Sequence, residues 1–121
     1  MKAAGKMTWQ KAPPDLIARF TDAMAGLRVA QVRKMFGYPA AFANGHMFTG
    51  LFGEQWMIRL PEAARAELSS LGATPFEPMP GRPMREYVSL PPELIADTTA
   101  LTPWLEQALD AVLALPPKKG R

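Results

Sequence analysis

His46 is the only imidazole in this chain of 121 residues, and no cysteine accompanies it. Zinc sites draw on three or four His, Cys or carboxylate ligands, so a lone histidine without cysteine cannot complete a usual set. Beside a turn signal, His46 is expected at the surface. The same scarcity limits nucleophilic catalysis. Ser69, Ser70 and Ser89 lack the glycine-flanked elbow that exposes a serine nucleophile, and a triad would have to recruit His46 across a sheet. Glu62 with Glu67, and Glu93 with Asp97, are acids on helical turns, where a solvated face is the default over an acid/base pair. The glycines form neither G-x-G-x-x-G nor a P-loop; they punctuate turns. No catalytic, cofactor-binding or metal-ligating residue is assigned, and the chain is expected to be non-enzymatic.

The element that organises the chain is a β-meander. Residues 32–60, VRKMFGYPAAFANGHMFTGLFGEQWMIRL, read as three antiparallel strands with tight turns at Asn44-Gly45 and Gly53-Glu54. Counting outward from these turns pairs Ala43 with His46, Phe42 with Met47, Phe52 with Gln55 and Leu51 with Trp56. Strand alternation then places Tyr38, Phe42, Met47, Thr49, Leu51, Trp56, Ile58 and Leu60 on a core face. The opposite, open face receives His46, Phe48, Gly50, Phe52, Gln55, Met57 and Arg59. Of these, His46, Phe48, Phe52, Gln55, Met57 and Arg59 form the candidate interaction face, because two Phe and one Met make a large apolar patch for a monomer surface. A partner protein or a second copy would cover it. The competing covers are the N-terminal lead, with Met7 and Trp9, and the proline-rich segment.

Helices flank the meander. Pro13-Pro14-Asp15 opens one that runs to about Ala25 and ends at Gly26, with Leu16, Ile17, Phe20, Ala23, Met24 and Leu27 as its apolar stripe. Pro61-Glu62 opens a second that ends at Gly72. Prolines at 75, 78, 80 and 83 exclude helix from residues 73–83. Residues 84–90 recover strand character, and residues 76–79 could pair beside them. Residues 92–96 make a single turn, and a last helix is expected from Thr102-Pro103 to Pro116, with Thr102 as cap. The fold class is α+β: two layers, an antiparallel sheet of the meander plus one or two further strands, and helices on one face. Its order is α-β-β-β-α-β(β)-α.

Composition bounds the rest. With 48% apolar and 21% charged residues the chain suits one globular domain. It holds no run of about 18 apolar residues and no signal-peptide core, so a cytoplasmic protein without membrane contact is expected. The net charge of +3 resides in the ends. Lys2, Lys6, Lys11, Lys118, Lys119 and Arg121 leave eight basic against eleven acidic residues between Ala12 and Pro117, a body of −3. The organisation is a flexible lead over 1–12, one domain over 13–115 and a basic tail over 116–121.

Several stretches together resemble the N-terminal domain of TfoX, also called Sxy. They are Met35-Phe36-Gly37-Tyr38, the hairpin Phe42-Ala43-Asn44-Gly45-His46-Met47-Phe48, and Tyr87-Val88-Ser89-Leu90-Pro91 with Leu101-Thr102-Pro103-Trp104. The similarity spans roughly Phe20 to Leu115. It implies a two-layer α+β fold and a role in bacterial competence and DNA uptake as a transcriptional coactivator acting by protein contacts, with no catalytic residues to carry over. Family members commonly add a C-terminal helical domain; this chain ends at Arg121, so a stand-alone domain is expected. The alternatives are a small ligand-binding or enzymatic domain with a cleft near the proline-rich segment, and a weak nucleic-acid-binding module. For the last, the acidic body repels phosphates, and contacts from the tails release counterions without reading sequence. Deleting Met1 to Lys11 and Lys118 to Arg121 should abolish any retardation of DNA in a gel. Sequence-selective binding that survives the truncation would place the interaction in the body.

Overall fold

Asn44 and Gly45 both take left-handed backbone conformations, φ 58° and 83°, as a two-residue hairpin turn requires. In the computed structural model, which describes residues 12–27, 30–35, 37–78, 81 and 84–117, this turn joins β2 (Tyr38–Ala43) to β3 (His46–Phe52). The turn at Gly53-Glu54 joins β3 to β4 (Gln55–Arg59), and all four pairs counted from the two turns form. The meander has one strand more than expected. β1 (Gln31–Met35) pairs antiparallel with β2, Met35 facing Tyr38 across residues 36–37. Residues 32–35, read into the first of three strands, form a strand of their own, which little apolar alternation and exposure at the sheet's edge leave without a sequence signal.

The remaining elements complete two layers. α1 spans Pro14–Ala25, α2 Glu62–Ser70, α3 Pro92–Ile95 and α4 Thr98–Leu113. β5 (Thr74–Pro75) and β6 (Tyr87–Ser89) extend the sheet to six antiparallel strands in the order β1-β2-β3-β4-β6-β5. The pairing beside β6 thus sits two residues earlier than expected, although the Met84 amide still donates to the Phe76 carbonyl at 2.9 Å. α4 also starts earlier than Thr102. Asp97 caps it, its carboxylate accepting from the Ala100 amide at 3.2 Å, and Pro103 lies inside the helix. An aspartate cap outcompetes the threonine-proline signal because it satisfies an otherwise unpaired amide of the first turn. The expectations for residues 1–11 and 118–121 lie outside the described residues; Ala12 is buried in the core.

The main core lies between the helices and one face of the sheet. Leu16, Phe20, Ala23 and Met24 of α1 and Leu101, Leu105, Ala108 and Val112 of α4 meet Leu51, Trp56 and Ile58 from the sheet, with Ala64 and Leu68 of α2 at its border. The Phe20 and Trp56 rings pack with centroids 5.3 Å apart. One polar group is built into this core. The fully buried Thr49 hydroxyl accepts from Trp56 Nε1 at 2.9 Å and donates to the Met57 carbonyl at 2.7 Å, so the indole N–H is satisfied without water.

The face assignment needs one correction. Phe42 faces Met47, but the next pair is Ala41 with Thr49, so Phe48 is an extra residue in β3 and the register shifts there. Such a bulge reverses alternation beyond it. Thr49, Leu51, Trp56, Ile58 and Leu60 keep the helix-side places expected of them, and Tyr38 belongs to that core too. Phe42 and Met47 move to the opposite face, and Phe48 turns into the helix-side core, where it is 0% exposed. Replacing Phe48 with alanine should cost about 3–5 kcal/mol in denaturant unfolding, the range for emptying a buried aromatic site. A loss below about 1 kcal/mol would mean that Phe48 faces solvent, as unbroken alternation predicts.

Candidate functional site

The sheet's second face carries a smaller apolar cluster of its own. Ala40, Met47, Met57 and Phe76 are buried there, with Met35, Phe42, Phe52, Met84 and Tyr87 half-buried around them. Three features hold it close to the sheet. A Cβ on Gly50 would lie 3.1 Å from Ala40 Cβ and 3.2 Å from Met57 Cε, so only glycine lets the Met57 side chain pack there unshifted. The Tyr87 hydroxyl reaches over β4 and donates to the Met47 carbonyl at 3.0 Å. The Phe52 ring lies between Tyr38 and Phe76, centroids 5.2 Å and 5.7 Å away, in the tilted and edge-on arrangements that aromatic quadrupoles favour.

The structure brings together four of the six residues proposed for this face. Phe52 and Met57 belong to the cluster. Gln55 accepts from the Ser89 hydroxyl at 3.0 Å, and Arg59 pairs with Glu86 at 2.7 Å, a half-exposed ion pair worth little to stability. The other two are elsewhere. Phe48 is in the main core because of the bulge. His46 faces Ala43 on the helix side, where its Nε2 lies 2.9 Å from the Pro116 carbonyl; Asn44 Nδ2 donates to the neighbouring Leu115 carbonyl at 2.8 Å. The hairpin tip therefore holds the end of α4. Sequence reasoning missed Met35, Phe42, Met47 and Met84 for this face, and also Phe76, whose segment was weighed as a paired strand, as the border of a cleft and as a cover. It does cover: Phe76 is 2% exposed and closes one half of the face, leaving Met35 and Phe42 to border the other. Beside them the Arg33 guanidinium stands 4.3 Å from the centroid of the Phe42 ring.

The polar groups of the molecule are dispersed. An open cleft of about 300 Å³ near the proline-rich segment is lined by Arg65, Ser69, Arg85 and Tyr87, with Glu62. Among the described residues no three His, Asp or Glu side chains are grouped to hold a metal, and no helix is long and apolar enough to cross a membrane. Burial raises the pKa of Tyr87, opposed by the positive Arg59 and reinforced by the negative Glu86. The unfolded chain ionises near the ordinary 10.0 while the folded one keeps its proton to higher pH. The stability tied to this group is therefore complete below pH 10.0 and is lost as pH rises through the folded value. Tyr87→Phe should flatten that alkaline loss in thermal melts and, by removing the bond to Met47, lower neutral-pH stability by about 1 kcal/mol.

The order of elements, the Asn44-Gly45 hairpin and the two-layer packing agree with a family assignment. No curated protein matches the chain. The family model for the TfoX N-terminal domain matches residues 22–112, which run from the last turn of α1 to the last turn of α4. The chain belongs to the TfoX N-terminal domain family.

Proposed function

We propose that this domain is a non-enzymatic regulatory module that works through protein contacts on the second face of its sheet. One observation carries the reading. The face that the helices leave uncovered is apolar, and its cover of Phe76, Met84 and Tyr87 leaves Met35, Phe42, Phe52 and Met84 only half-buried. An apolar surface of this kind on a monomer marks a contact site, and methionines suit it because their unbranched side chains adapt to a partner. Family membership supports the reading, since TfoX proteins regulate competence and DNA uptake as transcriptional coactivators. On this view the domain acts in the bacterial cytoplasm, docking on a protein partner or on a second copy.

Phe42 is the residue on which to test this. It is large, half-buried against the second cluster, absent from the main core and has the Arg33 guanidinium over its ring. Phe42→Ser should leave the circular dichroism spectrum intact. It should also reduce, by about tenfold or more, either the oligomer seen in light scattering or the amount of a partner identified by cross-linking in cells, the loss expected of an aromatic anchor. Unchanged association in a folded variant would remove the second face from consideration.

A further inference from the structure

β1 is one outer edge of the sheet, and its backbone is half unused. Met35 and Tyr38 flank a two-residue connection, so they form a hydrogen-bonded pair, and alternation makes Arg33–Ala40 and Gln31–Phe42 the next ones. Pro39, which has no N–H, falls opposite Lys34 at a position that bonds nothing to β1, so the imino acid fits the ladder. The N–H and C=O groups of Val32 and Lys34 therefore point away from the sheet. Gln31 through Lys34 are exposed, and Val32, on the helix side opposite the buried Ala41, is 50% exposed, unusual for a large apolar side chain in a strand. The opposite edge is not equivalent. β5 is two residues long and contains Pro75, which closes an edge to further pairing.

Charge selects what can pair there. Residues 23–53 contain no Asp or Glu, and their only charged groups are Arg28, Arg33 and Lys34, although the body as a whole is acidic. We propose that the outer edge of β1 accepts an added antiparallel strand from a partner protein: an extended acidic segment with carboxylates facing Arg33 and Lys34 and an apolar side chain facing Val32. Its backbone completes the ladder at Val32 and Lys34. The carboxylate facing Arg33 falls on the second face beside Phe42, which joins the edge to the contact surface described above; the inference rests on that protein-contact reading. A second copy is the poorer occupant, since two β1 strands side by side bring two cations each and no acid. A nucleic acid is poorer too, because it leaves Val32 and the outward amides unmatched.

A fluorescein-labelled peptide Thr-Glu-Glu-Val-Thr tests the edge, with Thr-Lys-Lys-Val-Thr and a single-stranded pentanucleotide as competitors. Fluorescence anisotropy should show saturable binding of the acidic peptide only, and nuclear magnetic resonance should show slowed exchange of the Val32 and Lys34 amides in the complex. Val32→Pro removes an outward N–H without breaking the β1–β2 ladder and should weaken binding about tenfold at an unchanged melting temperature. Arg33→Glu with Lys34→Glu should reverse the preference to the lysine peptide. Absence of saturable binding, tighter binding of the oligonucleotide, or a wild-type dimer that Val32→Pro dissociates would each overturn the proposal. So would equal peptide affinity in folded wild-type and Val32→Pro protein. Phe42→Ser separates the two readings: a cell-derived partner that it abolishes but Val32→Pro leaves bound refutes the edge and retains the face, whereas loss with Val32→Pro supports the edge.

Discussion

A single extra residue in β3 decides how this sheet is covered. The β3–β4 register runs unbroken from its turn, whereas the β2–β3 register set at Asn44-Gly45 shifts after the Phe42–Met47 pair, where Phe48 is skipped. Skipping Phe48 puts Phe48 and Thr49 in succession on the helix side and sends Met47 to the other. Without the bulge the helix side would lose a fully buried phenylalanine, and the second face would have to accommodate it against Gly50. The energy at stake is that of an emptied aromatic site, about 3–5 kcal/mol, comparable to much of a small domain's net stability. Bulges also increase strand twist, which helps a six-stranded sheet wrap around α1 and α4.

Thr49 pins the register of β3 against β4, the pairing that the bulge leaves unbroken. Its hydroxyl takes the indole proton of Trp56 and gives its own to the Met57 carbonyl, so one small side chain joins the bulged strand to its neighbour inside a dry core. A slip of one residue would bury an unpaired indole N–H, a penalty of about 1–3 kcal/mol. That cost adds to the packing loss. Gly50 acts on the reverse side of the same strand, where the space it leaves is filled by Ala40 and Met57. The register is thus held by hydrogen bonding on one face and by close approach on the other.

These details explain what could be read from the chain. Asn44-Gly45 and Gly53-Glu54 are local signals, because only certain residues tolerate their backbone, and they located both turns and four residue pairs correctly. The apolar stripe of α1 was equally plain, with Leu16, Phe20, Ala23, Met24 and Leu27 buried and only Ile17 left exposed. The bulge has no such signature, because Phe48 would suit either face by type and the pairs counted outward from the two turns are satisfied with or without it. The candidate face inherited the error: Phe52, Gln55, Met57 and Arg59 were placed correctly, whereas Phe48 and His46 were not, and Phe42 and Met47 were assigned to the wrong side. β1 was missed as a separate strand for the related reason that an edge strand with four exposed residues has no burial pattern to reveal it.

The two faces differ in the kind of order they impose. On the helix side, long elements bring many side chains at once and the core is closed by α1 and α4. On the second side the cover comes from Phe76 of the proline-rich segment and Met84 after it, with Tyr87 of β6 beside them. Prolines limit the conformations open to such a segment before folding, which lowers the entropy lost when it settles, and the Tyr87 bond over β4 ties the strand after it to Met47. The second cluster is nevertheless small, and it is filled largely by methionine, the apolar side chain least restricted to one shape. A cover with few apolar contacts opens at lower free energy than the global unfolding of the domain. The second face is therefore the one that can adjust its shape, while the bulged, hydrogen-bonded side keeps the strands in register beneath.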